Sequence, residues 1–141
     1  MMDMKKNVLI IDGQGGRIGK MLAERLVAVE EIELTVVGTN SIATSAMMKA
    51  GVARGATGEN PVVVLSKDAD VIAGPIGIVM TDSMLGEITE KMASAVSKSR
   101  AEKVLIPISK CQTGIAGVKD LPLSALVEDA AGKIIRLVKR T

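Results

Sequence analysis

After a polar start, the chain runs into the apolar stretch Val8 to Ile11, which is short, rich in branched residues and closed by Asp12-Gly13. Such a run predicts a β-strand buried on both faces. Just past the glycines that follow, the period changes to 3.6. Ile18, Met21, Leu22, Leu26 and Val29 share one side of a helix, with Arg17, Lys20, Glu24 and Arg25 on the other. Ile32 to Gly38 predicts a second strand ending in Thr39-Asn40-Ser41. Ile42, Ala43, Ala46, Met47 and Ala50 predict a second helix that Gly51 terminates. Ala53 to Thr57 reads as a brief third strand and Val71 to Ala73 as a fourth. Between these two, Val62 to Leu65 has strand composition, but Asn60-Pro61 is a helix start with a cap and a first-turn proline. Parallel strands also need a crossover, so a short helix is expected. Thr81, Asp82 and Ser83 either cap a further short helix, of which Met80, Met84, Leu85 and Ile88 form one face, or line a crevice. Thr89 caps a helix carrying Met92, Ala93 and Val96, Lys103 to Ile108 forms a fifth strand, and Leu123 to Val138 the last helix. Pro107 in that fifth strand suits an edge or a strand end.

This alternation predicts an α/β fold: a doubly wound, mainly parallel five-stranded sheet in a Rossmann-like three-layer sandwich, with residues 1–141 as a single domain. Right-handed crossovers place the first strand centrally. They align the loops after the first, second and fourth strands along one crevice, where ligands bind in such folds.

Composition narrows the chemistry. The 141 residues include no Trp, Tyr, Phe or His and a single Cys, Cys111. Without His or Tyr there is no Ser/His/Asp triad, no imidazole base, no His-liganded metal and no tyrosine-based hydride-transfer site. Without aromatic rings there is no stacking platform for single-stranded nucleic acid, and a net charge of +2, spread along the chain, does not imply a nucleic-acid partner. One Cys makes neither an internal disulfide nor, without His, a zinc site, and no metal is expected. No apolar stretch approaches the roughly 20 residues of a membrane span, and Met1 to Lys6 is polar, so a cytoplasmic protein is expected.

The richest local signal is Asp12-Gly13-Gln14-Gly15-Gly16-Arg17-Ile18-Gly19, a GxxGxxG spacing that leaves a buried strand and opens a helix. Gly13 suits the tight turn, Gly15 and Gly16 the close approach of a ligand, and Gly19 the packing of helix on sheet. The N–H groups at the helix start favour an anionic group such as a diphosphate. The alternative is a glycine-rich turn with nothing bound. Asp12 is awkward beside a phosphate: it either turns aside to accept loop N–H groups, faces a bridging Mg²⁺, or contacts another part of the ligand.

GQGGRIG with its helix resembles the phosphate loop of dihydrodipicolinate reductase, and the spacing is similar to that of extended short-chain dehydrogenases. That likeness covers about the first quarter of the chain. The reductase's substrate domain and the dehydrogenases' Tyr have no counterpart. Over nearly its whole length, through IDGQGGRIG, GTNSIATSAM, GATGEN, ADVIAGPIGIV and LGEIT, the sequence resembles a family of short bacterial Rossmann-like proteins, a domain of unknown function. The resemblance implies a nucleotide-binding-like fold and bacterial origin, and transfers no activity.

Other crevice candidates follow from position. An NAD site usually carries Asp or Glu at the end of the second strand; Thr39, Asn40 and Ser41 stand there instead. They can bond a ribose or, with Arg17 or Arg54, a 2′-phosphate, which makes NADP slightly easier to accept than NAD. Asn40 or Ser41 is equally a normal N-cap. Gly74-Pro75-Ile76-Gly77 lies where the second half of a dinucleotide would pass, or is only a sharp turn. Cys111, beside Lys110, is the residue with nucleophilic chemistry, or an inert thiol. The nine Met residues read as flexible core filler, and a homodimer through the Met80, Met84, Leu85 and Ile88 face is a further expectation. The leading functional expectation is a module binding NAD(P) or a related nucleotide through Gly13 to Gly19, as a sensor or accessory subunit. The alternatives are a small oxidoreductase or transferase with a site shared between subunits, using Asp12 or Cys111, and an interaction scaffold without a ligand.

Overall fold

The computed structural model describes residues 4–108 and 114–140. Five strands, β1 (Lys6–Asp12), β2 (Ile32–Gly38), β3 (Arg54–Thr57), β4 (Val71–Pro75) and β5 (Glu102–Ile106), pair in parallel in the order β3-β2-β1-β4-β5. The helices are α1 (Arg17–Leu26), α2 (Ser41–Met48), α3 (Glu59–Ser66), α4 (Glu90–Lys98) and α5 (Leu123–Val138). Alternation along β1 divides the interior into two layers. Val8 and Ile10 pack with Leu22 and Leu26 of α1, Met47 of α2 and Val127 and Ile134 of α5. Leu9 and Ile11 pack with Val62 of α3 and Met92 and Val96 of α4. Ile10, Ile11 and Ile72 are fully buried, each contributing roughly 1.5–3 kcal/mol by leaving water. The expected doubly wound arrangement, with β1 central, is thus what forms; of the methionines expected as core filler, Met47 and Met92 are buried, whereas Met4 and Met48 are exposed.

Four local expectations need correction. The helix after β3 starts at Glu59, behind Gly58 rather than an Asn60 cap. Pro61 is its third residue, still within the turn whose N–H groups have no intrahelical partner, so it breaks no bond. The last strand ends at Ile106, leaving Pro107 just beyond an edge strand. Arg54 pairs with Glu33 at 3.2 Å and lies in register with Thr35, well short of the Thr39 end of β2. Finally, residues 80–88 form no helix. A short 3₁₀ turn, Ile76–Val79, leads into a loop closed by hydrogen bonds from Asp82 N–H to the Ile88 carbonyl (2.7 Å) and from Ile88 N–H to the Ser83 carbonyl (3.2 Å). Asp82, Met84 and Leu85 have φ of 67°, 57° and 57°, which no right-handed helix accommodates. Ile88 is buried while Leu85 is 96% exposed, so the four residues expected to share one apolar helix face do not.

Candidate functional site

The site begins where β1 hands over to α1. Gly16, at φ 72°, is the residue preceding α1, and its N–H donates to the Gly13 carbonyl at 2.9 Å, closing the turn. A β-carbon on Gly16 would lie 2.7 Å from the Ala43 carbonyl oxygen, whereas one on Gly15 would meet nothing within 4 Å. Gly19 packs against Met47 and Asp12, the helix-on-sheet role expected of it. Asp12, 4% exposed, turns inward: its Oδ1 accepts the Gly13 N–H at 2.8 Å and its Oδ2 the Gly19 N–H at 2.7 Å. Burial pushes the Asp12 carboxyl upward from its ordinary value, against the hydrogen bonds from Gly19 and Gly13, and the neighbouring Glu87 charge adds to the rise. Among the described residues, the N–H groups of Gly15 and Arg17 carry no hydrogen bond, and both residues are exposed.

The 80–88 loop lies across this turn. Glu87 Oε1 accepts the Gln14 N–H at 2.8 Å, the Thr39 hydroxyl at 2.5 Å and the Asn40 side-chain amide at 2.8 Å. Burial works against its ionised form, but these three donors outweigh it and hold the carboxyl below its usual value. Asn40 also caps α2, its Oδ1 accepting the Ala43 N–H at 2.9 Å, and its amide donates to the Gln14 carbonyl at 3.0 Å. It thereby ties the end of β2 to the glycine turn.

Between β1 and β4, where the chain switches direction across the sheet, lies a cavity of about 450 Å³. Small-molecule sites run about 300–1,000 Å³ and favour such switch points. It is lined by Asp12, Gly13, Gln14 and Ile18 from the glycine turn, Pro75 at the end of β4 and Gly77 beyond it, Asp82 to Leu85 from the loop, and Ile108. The lining is mostly apolar and holds two carboxyl groups and no Lys or Arg. Of the residues expected to bind a cofactor, Gly13, Gln14, Ile18, Pro75 and Gly77 line this space, while Gly15, Arg17, Thr39 and Asn40 are not among its lining residues. Ser41 is exposed on a shallow groove beside α2. Gly74 is a packing requirement, since a side chain there would run into the Ile11 carbonyl oxygen, and Ile76 is not among the lining residues. Thr81 lies in the loop without capping a helix, and Asp82 and Ser83 line the cavity. Cys111 lies outside the described residues. Local sequence patterning missed Glu87, whose partners are 47 to 73 residues away along the chain.

Among the described residues, no group of His, Cys, Asp and Glu suits a metal ion, and no helix is long and apolar enough to cross a membrane. No curated protein matches the chain. Solved structures do resemble it. A dodecameric FMN-dependent UbiX-like decarboxylase from Escherichia coli O157:H7 shares 16% identity at a TM-score of 0.47, covering 94% of this chain and 75% of that one. An NAD⁺-bound xylitol dehydrogenase shares 19% identity at 0.44, covering 96% of this chain and 64% of that one. The family model described as "Domain of unknown function (DUF3842)" matches residues 7–139, and the chain belongs to that family.

Proposed function

We propose that the chain is a nucleotide-binding module whose ligand, of the NAD(P) type, lies along the carboxyl edge of the sheet. Its phosphates approach the Gly15 and Arg17 N–H groups, and its far half enters the cavity between β1 and β4. The observation that carries this reading is the pair of unengaged N–H groups at the start of α1, beside a cavity at the switch point. A helix start of this kind favours an anion by about 0.3–2 kcal/mol. An ionised Asp12 about 5 Å from a phosphate would oppose it by roughly 3 kcal/mol at an effective dielectric of about 20. Two features reduce that opposition: both Asp12 oxygens are turned onto the Gly13 and Gly19 N–H groups, and the exposed Arg17 side chain carries a charge of the opposite sign. With no imidazole or phenol in the sequence, the reading is one of binding, as a sensor or accessory subunit, and assigns no reaction.

A second reading has its own support. The Gly13, Gln14 and Gly19 N–H groups are already met by Asp12 and Glu87, as a self-filled interaction scaffold would require. A thermal-shift panel of NAD, NADP, their reduced forms, ATP and S-adenosylmethionine separates the two. A ligand at a hundredfold excess over Kd stabilises the fold by about 2.7 kcal/mol. Gly15→Asp adds a charge at the unengaged N–H groups without an internal clash, so it abolishes the shift if the ligand lies there. No shift with any of these compounds at millimolar concentration selects the scaffold.

A further inference from the structure

In dinucleotide-binding folds, a carboxylate at the end of the second strand accepts the hydroxyl groups of the adenosine ribose. Here β2 ends at Gly38 and runs into Thr39, Asn40 and Ser41, none of them acidic. A carboxylate nevertheless reaches that place, delivered from the connection after β4. Glu87 is anchored there by Thr39 and Asn40 of the β2 end and by the Gln14 N–H of the glycine turn. All three bonds fall on Oε1, and among the described residues Oε2 carries none. One oxygen is fixed by the protein and the other is left to accept.

The shape of the 80–88 loop points the same way. Met84 and Leu85 both adopt a left-handed φ that non-glycine residues rarely take; Met84 packs against the core layer of α3 and α4, while Leu85 is 96% exposed. Strained backbone of this kind clusters at functional sites. Its local result is the return of the chain through Gly86 to set Glu87 on its three donors, with Ile88 buried as the anchor behind it.

Resting on the nucleotide reading above, we infer that Glu87 accepts the 2′-hydroxyl of the adenosine ribose through Oε2 and selects NAD over NADP. A 2′-phosphate in that position would face a carboxylate at hydrogen-bonding range. Of the two cations the sequence offers as 2′-phosphate partners, Arg54 pairs with Glu33, and Arg17 opens α1 beside the N–H groups assigned to the diphosphate. The slight preference for NADP drawn from a β2 end without an acid is therefore reversed.

The test is isothermal titration of the full chain with NAD, NADP and NAD lacking the adenosine 2′-hydroxyl, on the wild type, Glu87→Gln and Gly15→Asp. Gln at 87 retains a carbonyl oxygen for the three donors, and its fold is checked by thermal unfolding. The wild type is expected to bind NAD about tenfold or more tighter than either analogue, a tenfold ratio corresponding to about 1.4 kcal/mol. Glu87→Gln is expected to lose most of that discrimination, binding NAD more weakly and NADP more tightly. The 2′-deoxy comparison on the wild type reads the same contact without any substitution. Equal wild-type affinity for the three ligands, or discrimination unchanged in Glu87→Gln while Gly15→Asp abolishes binding, overturns the role of Glu87 and leaves the nucleotide reading standing. Failure of the wild type to bind any of the three overturns both.

Discussion

Gly15 and Gly16 are adjacent and identical in composition, yet the structure gives them opposite tolerances. At Gly16, alanine must adopt a φ of 72° and place its methyl 2.7 Å from the carbonyl oxygen and 2.8 Å from the Cα of Ala43. The left-handed conformation costs roughly 1–2 kcal/mol. Forcing a methyl against backbone adds about 1–3 kcal/mol, because α2 must move as a unit to relieve it. Gly16→Ala is therefore expected to lose about 2–5 kcal/mol. At about 3 °C per kcal/mol for a chain of this length, that is a fall in Tm of roughly 6–15 °C. At Gly15 the methyl meets nothing within 4 Å, and the backbone is not left-handed. There, alanine is expected to range from neutral to about 1 kcal/mol stabilising, through the lower entropy of the unfolded chain. Urea unfolding of the two variants, followed by circular dichroism with a common slope, measures the difference. Equal losses at the two positions would refute the described turn, and with it the claim that the N–H groups beside Gly15 face open space.

Two further outcomes follow from the same neighbourhood. The Asp12 carboxyl is shifted upward, chiefly by burial, so the folded state holds its proton more firmly than the unfolded chain. Its contribution to stability is fullest in acid and is lost as pH rises through the shifted value; Asp12→Asn should remove that downward slope of unfolding free energy above the ordinary carboxylate range, and an unchanged slope would contradict the assignment. Asn40→Ala removes the cap of α2 and one donor to Glu87, and should cost about 1–2 kcal/mol in chemical unfolding; a loss below about 0.5 kcal/mol would show the cap to be dispensable.

The framework was legible because it rests on local periodicity. Ile32 to Gly38 and Leu123 to Val138 form the strand and helix their patterns predict, and the order of elements alone places β1 in the centre. The glycine turn was legible in part, with Gly19 packing as expected. Nothing local, however, indicated that Gly16 is constrained by Ala43 and Gly15 by nothing. The 80–88 loop was misread because Met84, Leu85 and Ile88 are apolar at helical spacing and Met and Leu are good helix formers, and tertiary demands overrode that preference. Ile88 is pulled into the α4 layer, Met84 lies over Gly13, and Glu87 reaches donors on two other loops. The role of Arg54 was misplaced for a related reason: nearness to the β2 end in topology is set by register, and the register puts it beside Thr35.

The central claim is that an anionic nucleotide group meets the backbone at the start of α1. Amide chemical shifts of the ¹⁵N-labelled chain during titration with NAD test this most directly, because they report each N–H group separately. The account predicts the largest saturable shifts at Gly15 and Arg17, with smaller ones at Gln14 and along the Asp82 to Glu87 loop. Shifts confined to other parts of the surface, or none at millimolar NAD, would contradict it.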